Sequence, residues 1–100
     1  MRAIVITAQD NVATALEDIP AGAKVKLRLG SEEREVQVRA AIPFGHKFAL
    51  QPIPAGGDII KYGEVMGEAT AAIEPGEHVH VHNVDSRRGR GDLAAKGGER

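Results

Sequence analysis

Lys24-Val25-Lys26-Leu27-Arg28-Leu29 and Arg34-Glu35-Val36-Gln37-Val38-Arg39, joined by Gly30-Ser31-Glu32-Glu33, decide the fold. Apolar and charged or polar residues alternate through both runs, and side chains that alternate between two faces belong to strands. A helix would instead repeat its apolar residues every three to four positions. Two alternating runs around a short Gly-containing link predict a hairpin with one apolar, buried face and one charged, solvated face.

The flanking segments extend this pattern. Ala3 to Thr7, with two Ile and one Val, reads as a strand. Asp10 is placed to cap a brief helix over residues 11–16, where Val12, Ala15 and Leu16 share a face. Ile19-Pro20-Ala21-Gly22 predicts a turn, Pro presetting φ and Gly tolerating φ > 0. It recurs as Ile53-Pro54-Ala55-Gly56 and, more loosely, as Ile73-Glu74-Pro75-Gly76, at spacings of 34 and 20 residues. Unequal spacing excludes a solenoid, leaving one turn solution reused before successive strands. Between Asp58 and Gly67, Gly63 and Gly67 interrupt a strand-like run and suggest a bulge or a close backbone approach. The expectation is a single, mostly β domain of short strands with one short helix.

Composition narrows the function classes. A formal net charge of −1 over 100 residues gives no reason to expect nucleic acid. With no Cys, disulfides and thiolate metal sites are excluded. No run approaches the ~20 apolar residues that span a bilayer, so no membrane association and a cytoplasmic location are expected. Phe44, Phe48 and Tyr62 are the whole aromatic supply, so aliphatic side chains must fill the core.

The least ordinary stretch is Gly76-Glu77-His78-Val79-His80-Val81-His82-Asn83, which holds three of the four histidines. On a strand, His78, His80 and His82 form a row along one face. Three readings are open: a metal site, an active-site or substrate-binding face, or histidines satisfied structurally. Same-face neighbours on a straight strand lie ~6.5–7 Å apart, so three in a row fit poorly around one ion. The reading assigns no metal to this chain. His46, in Gly45-His46-Lys47, reads as a base or ligand beside a cation, or as a surface histidine followed by a solvated lysine. Lys47 would alternate to the opposite face. Lys61 and Tyr62 form a second polar cluster, suited to an anionic substrate or to an edge strand guarded by charge. Asn83 suits a substrate hydroxyl or the cap of a turn.

These stretches carry a resemblance. Asp10-Asn11-Val12-Ala13, Gly45-His46-Lys47-Phe48-Ala49, Ile60-Lys61-Tyr62-Gly63-Glu64, Gly67-Glu68-Ala69-Thr70 and Gly76 to Asn83 resemble, in order, the SAF domain of the altronate and galactarate dehydratase family. The resemblance covers most of residues 3–84 and implies a β-clip fold of short bent strands. It also implies a sugar-acid hydro-lyase, with the small subunit of a sulfolactate sulfo-lyase as a close relation. The chain is then expected to be a small subunit, with a separate large catalytic subunit as partner and a small anionic sugar acid as substrate; an excised amino-terminal domain, or a non-catalytic module that binds a carbohydrate acid or assembles a complex, stays open. A divalent, iron-type metal is expected on that large subunit, with no cofactor in this chain alone. Such a dehydration removes the proton alpha to a carboxylate and expels hydroxide. His46 is then the expected catalytic group, with Lys47, Lys61, Tyr62, His78, His80, His82 and Asn83 binding substrate. Self-association is left open.

Residues 1–84 make the expected domain. From Asp85 to Arg100 five basic and three acidic residues accompany few apolar ones. Such a tail cannot offset its ordering entropy by burial and is expected to be disordered or docked on a partner. Arg87-Arg88-Gly89-Arg90 lacks the aromatics that stack on nucleic-acid bases, which favours docking on an acidic protein surface.

Overall fold

The computed structural model describes residues 2–29 and 31–85. These form nine strands: β1 (Ala3–Ile4), β2 (Val12–Ala15), β3 (Lys24–Leu29), β4 (Glu32–Gln37), β5 (Lys47–Ala49), β6 (Asp58–Lys61), β7 (Glu64–Ala69), β8 (His78–Val79) and β9 (Val84–Asp85). They assemble into a four-stranded sheet, β1-β2-β5-β8, a two-stranded sheet, β3-β4, and a three-stranded sheet, β6-β7-β9. Every pairing is antiparallel. The architecture is mostly β, built from the short bent strands that the resemblance implied.

The β3-β4 hairpin forms as its alternation requires. Val25, Leu27 and Val36 are buried, whereas Lys24, Lys26, Arg28 and Glu32 to Glu35 stay in solvent. β4 starts at Glu32 rather than Arg34, because cross-strand pairing of Arg28 with Glu33 and Lys26 with Glu35 sets opposite charges side by side.

The expected helix over residues 11–16 is absent; the segment is β2. Its apolar positions also fit a strand buried on both faces. Val12 packs with Ile53, Ile59 and Ile73, while Ala13 and Ala15 pack with Ile19, Val25 and Phe48. β2 thus separates two clusters of core side chains, which a two-turn helix with one exposed face could not do. Asp10 caps no helix. Its carboxylate accepts bonds from Thr7 Oγ1 at 2.7 Å and from the Gly63 amide at 2.9 Å, tying the turn before β2 to the β6-β7 tip.

The Ile-Pro-Ala-Gly turn occurs four times, not three. Ile42-Pro43-Phe44-Gly45 is the further copy, and in each the glycine has positive φ: Gly22, Gly45, Gly56 and Gly76. Each turn closes with a bond to the residue after the glycine, as in His46 N to Pro43 O at 2.9 Å and Glu77 N to Glu74 O at 3.0 Å. Each glycine amide then donates to a neighbouring segment, Gly45 to Ala15 O and Gly76 to Ala49 O. The leading isoleucines pair off, Ile19 with Ile42 and Ile53 with Ile73. One local device therefore starts β3, β5, β6 and β8, and two of those starts carry histidine.

Asn11 joins the sheets. It is buried, and its carboxamide donates to Asp58 O and accepts from Ile60 N, both at 2.8 Å. Asn11→Ala removes both bonds from the inside of the molecule and is expected to destabilise the fold by about 2 kcal/mol. For a domain of this size that lowers the thermal midpoint by roughly 10 °C. An unchanged midpoint would contradict this role.

Candidate imidazole site

The site grows out of the β5-β8 register. Phe48 pairs with His78 and Lys47 with Val79. Continuing that antiparallel register sets His46 opposite His80, and directly opposed residues share a face. Regular pairing stops at Val79, and the chain turns over residues 80–83. The straight three-histidine ladder is therefore not formed: only His78 lies on a strand, and His80 and His82 enter the turn.

Asn83 holds that turn. Its Oδ1 accepts from the His80 amide and its Nδ2 donates to His78 O, both at 2.9 Å, while its own amide donates to His80 O at 3.0 Å. Asn83 is buried, and its carboxamide is engaged by backbone at both ends. Of its two expected roles, the turn cap is the one this geometry displays.

The folded turn gathers the rings. His46 Nδ1 and His78 Nε2 stand 2.9 Å apart, so one of them carries a proton and the other accepts it. His46 stacks on His80 with centroids 4.2 Å apart and planes 21° from parallel. His78 and His80 are nearly parallel at 5.5 Å, and the His82 ring lies 5.2 Å from His78. Nitrogens of His46, His78 and His80 all fall within 4.8 Å of one another. His46 joins this group through cross-strand register, which no local sequence pattern displays.

Lys47 lies beside the rings. With Ile59, Met66, Val79, His80, Val81 and Val84 it lines a pocket of about 300 Å³. His80 thus belongs to both the ring cluster and the pocket wall. Burial, and then the charge of Lys61, hold the Lys47 ammonium below its ordinary pKa. The charge of Lys61 is thus felt at Lys47. Tyr62 stands at the tip of the β6-β7 hairpin with φ of 60°, and Lys61 Nζ sits 4.8 Å from its ring centroid. Met66, Val81 and Ile59 were not expected at a site. Their apolar side chains carry no chemical signature, and only the fold brings them to Lys47 and His80.

Partial burial, then the charges of His46, His82, His80 and Lys47, lower the His78 pKa from its ordinary 6.5. His80 shifts the same way, from partial burial and then from His46, Lys47 and His82. Below pH 6.5 the unfolded chain binds protons that these folded histidines refuse, so stability falls as pH falls through that window. Thermal melts at pH 7.5, 6.5 and 5.5 are expected to show a declining midpoint, with a shallower decline in His78→Gln. Asp10 adds loss only in stronger acid. Burial raises its pKa, but bonds from the Thr7 hydroxyl and the Gly63, Tyr62 and Thr7 amides outweigh this and lower it. Parallel pH profiles for wild type and His78→Gln would contradict the assignment.

Comparison with known proteins gives the family of the chain. Residues 1–87 match the family model of the altronate/galactarate dehydratase SAF domain. The chain belongs to this SAF-domain family. The domain is 45% identical over 84 residues to an altronate dehydratase of Escherichia coli (strain K12), covering 84% of this chain but 16% of that protein. It is 36% identical over 88 residues to the (2R)-sulfolactate sulfo-lyase subunit alpha of Chromohalobacter salexigens, covering 85% of this chain and 94% of that subunit. A galactarate dehydratase (L-threo-forming) of Escherichia coli is 44% identical over 70 residues, covering 70% of this chain and 12% of that protein. This SAF domain thus spans about a sixth or less of the dehydratases it matches and nearly the whole of the sulfo-lyase subunit. Its relatives are lyases, and the alpha subunit is named as part of a multi-subunit enzyme. Among the described residues no helix is long and apolar enough to cross a membrane. Residues 86–100, where the Arg-rich tail was expected to be disordered or docked, lie outside the described residues.

Proposed function

We propose that this chain is the small, SAF-domain subunit of a cytoplasmic hydro-lyase acting on a sugar acid of the altronate or galactarate type. It lends its imidazole cluster to an active site completed by a separate large subunit. The observation that carries this reading is the convergence of His46, His78 and His80 beside the Lys47 pocket. Elimination from a 2,3-dihydroxy acid needs a group to take the alpha proton and another to protonate the departing hydroxyl. The His46–His78 pair holds one exchangeable proton between two rings and suits either task. We assign His46 as the proton-transfer residue, with His78 and His80 beside it. In this reading Lys47 and Lys61 draw the substrate carboxylate, while His82 stands against His78 and Tyr62 stays at the β6-β7 tip beside Lys61. The divalent, iron-type metal belongs, in this reading, to the large subunit. Residues 1–84 form the working domain, and Arg87-Arg88-Gly89-Arg90 dock on that partner.

A second reading has a specific observation behind it. The near end-to-end match to a sulfo-lyase alpha subunit favours a substrate in which a sulfonate replaces the departing hydroxyl. Co-purification with a candidate large subunit, followed by assay of aldonates, aldarates and a sulfonated hydroxy acid, separates the two. Release of a 2-keto acid from a sugar acid supports the hydro-lyase, and release of sulfite supports the sulfo-lyase. Tight sugar-acid binding by the chain alone, with no effect on any partner's turnover, would make it a binding module instead.

A further inference from the structure

We propose that His46, His78 and His80 form a site at which this chain, by itself, binds one divalent transition-metal ion. Three histidines fit poorly around one ion on a straight strand, but the chain turns over residues 80–83 and the row is not straight. His46 joins from β5's leading edge. Facing nitrogens of His46 and His78 are 2.9 Å apart, and all three donor atoms lie within 4.8 Å. Imidazoles bind such ions at ~2.0–2.1 Å, which sets neighbouring nitrogens of a tetrahedral shell ~3.3 Å apart. The His46–His78 pair is already close to that edge. His80 closes the third corner by turning out of its stack on His46.

Hydrogen bonding explains only part of the cluster. One shared proton satisfies His46 and His78, yet His80 and His82 are massed against the same pair. The donor group gathered here among the described residues is three imidazoles, so the donor set is nitrogen. Such a set selects zinc, cobalt, nickel, copper or ferrous iron over magnesium or calcium. The Lys47 ammonium opposes a cation nearby and weakens the expected affinity. Three protein ligands leave a coordination position open, as catalytic rather than structural sites do. His80 also walls the Lys47 pocket, so an ion here would adjoin the space proposed for the substrate. That last link rests on the shared-site reading; metal uptake itself does not.

Ligation moves a proton without gaining or losing one. In the metal-free pair, either His46 Nδ1 or His78 Nε2 carries hydrogen. Both must present lone pairs to the ion, so that hydrogen shifts to the other nitrogen of the same ring.

The test uses the tag-free, chelator-stripped chain of 100 residues, titrated calorimetrically with Zn²⁺ and optically with Co²⁺. One ion per chain is expected, together with a tautomer change at His46 or His78 in imidazole ¹⁵N NMR. His46→Ala, His78→Ala and His80→Ala should each weaken binding at least ~10-fold, as loss of even an outer-shell partner does. Backbone amide spectra verify folding, and His46→Gln replaces His46→Ala if the latter does not fold. No saturable uptake below ~1 mM, or uptake that His46→Ala and His46→Gln leave unchanged, overturns the site. Uptake by the chain with normal turnover of a His46→Ala lyase would retain the metal site and overturn the shared active site. Lost turnover without uptake would do the reverse.

Discussion

His46→Ala, tested in the assembled lyase, should lower kcat by ~10²–10⁴-fold, the range that one positioned acid–base group contributes. The expectation follows from where the ring sits. Its Nδ1 is engaged with His78 at 2.9 Å, and its face stacks on His80. Removing it breaks the only ring–ring hydrogen bond in the cluster among the described residues and leaves His78 without its proton partner. Lys47→Met provides the contrast. Lys47 is held at the pocket wall rather than in the ring cluster, so loss of its charge should raise KM for an anionic substrate more than it lowers kcat. A His46→Ala enzyme within three-fold of wild type, on the order of measurement scatter in RT terms, would remove His46 from the chemistry.

Gly76→Ala should be the most damaging single substitution in the fold. Gly76 has φ of 86°, where an L side chain already costs ~1–2 kcal/mol. A Cβ there would collide with the carbonyl oxygen of Gln37 and approach Val38 Cα to 3.2 Å. Those atoms are backbone of the β3-β4 hairpin edge and cannot rotate away. The Gly76 amide also bonds Ala49 O, and its carbonyl accepts from Arg39 N, both at 2.8 Å. Any displacement therefore pulls on β5 and on the segment after β4 together. We expect a loss of about 4 kcal/mol, at the exceptional end for one substitution and a large part of a typical domain's stability. Gly22→Ala is the internal control. It occupies the same place in the same turn, with φ of 87°, but nothing lies within 4 Å of its added Cβ. It should lose only the backbone term, ~1–2 kcal/mol. Equal melting points for the two variants would show that the crowding at Gly76 does not matter.

How far the sequence led depends on what kind of signal each element carries. Alternation over six residues made β3 legible, and opposed charges on β3 and β4 settle the register that alternation leaves open. Val12, Ala15 and Leu16 satisfy a helical stripe, yet Val12, Ala13 and Ala15 fit a doubly buried strand as well and Leu16 lies exposed beyond its end. Tertiary packing on both sides decided between them. The turn motif was legible in three copies, while Ile42-Pro43-Phe44-Gly45 escaped because Phe44 stands where Ala21 and Ala55 stand. That missed copy is the one that delivers His46.

The histidines divide the same way. Their spacing announced a special surface, and His78, His80 and His46 do meet. What spacing could not convey is that the chain bends after Val79. The clue was Asn83, whose carboxamide closes the bend by bonding His78 and His80 backbone. Pairing of β5 with β8 then supplies His46 from a segment 32 residues away in the chain. Contacts of that kind depend on register, and register is a property of the folded sheets.

In the proposed assembly, the imidazole cluster of this chain faces a substrate site completed by a large subunit. The most direct measurement is imidazole ¹⁵N NMR of the histidine-labelled chain in the assembled enzyme, before and after adding a non-reacting aldonate analogue. The resonances of His46, His78 and His80 should shift on assembly and shift again with the analogue. Resonances that match those of the isolated chain in both states would contradict it.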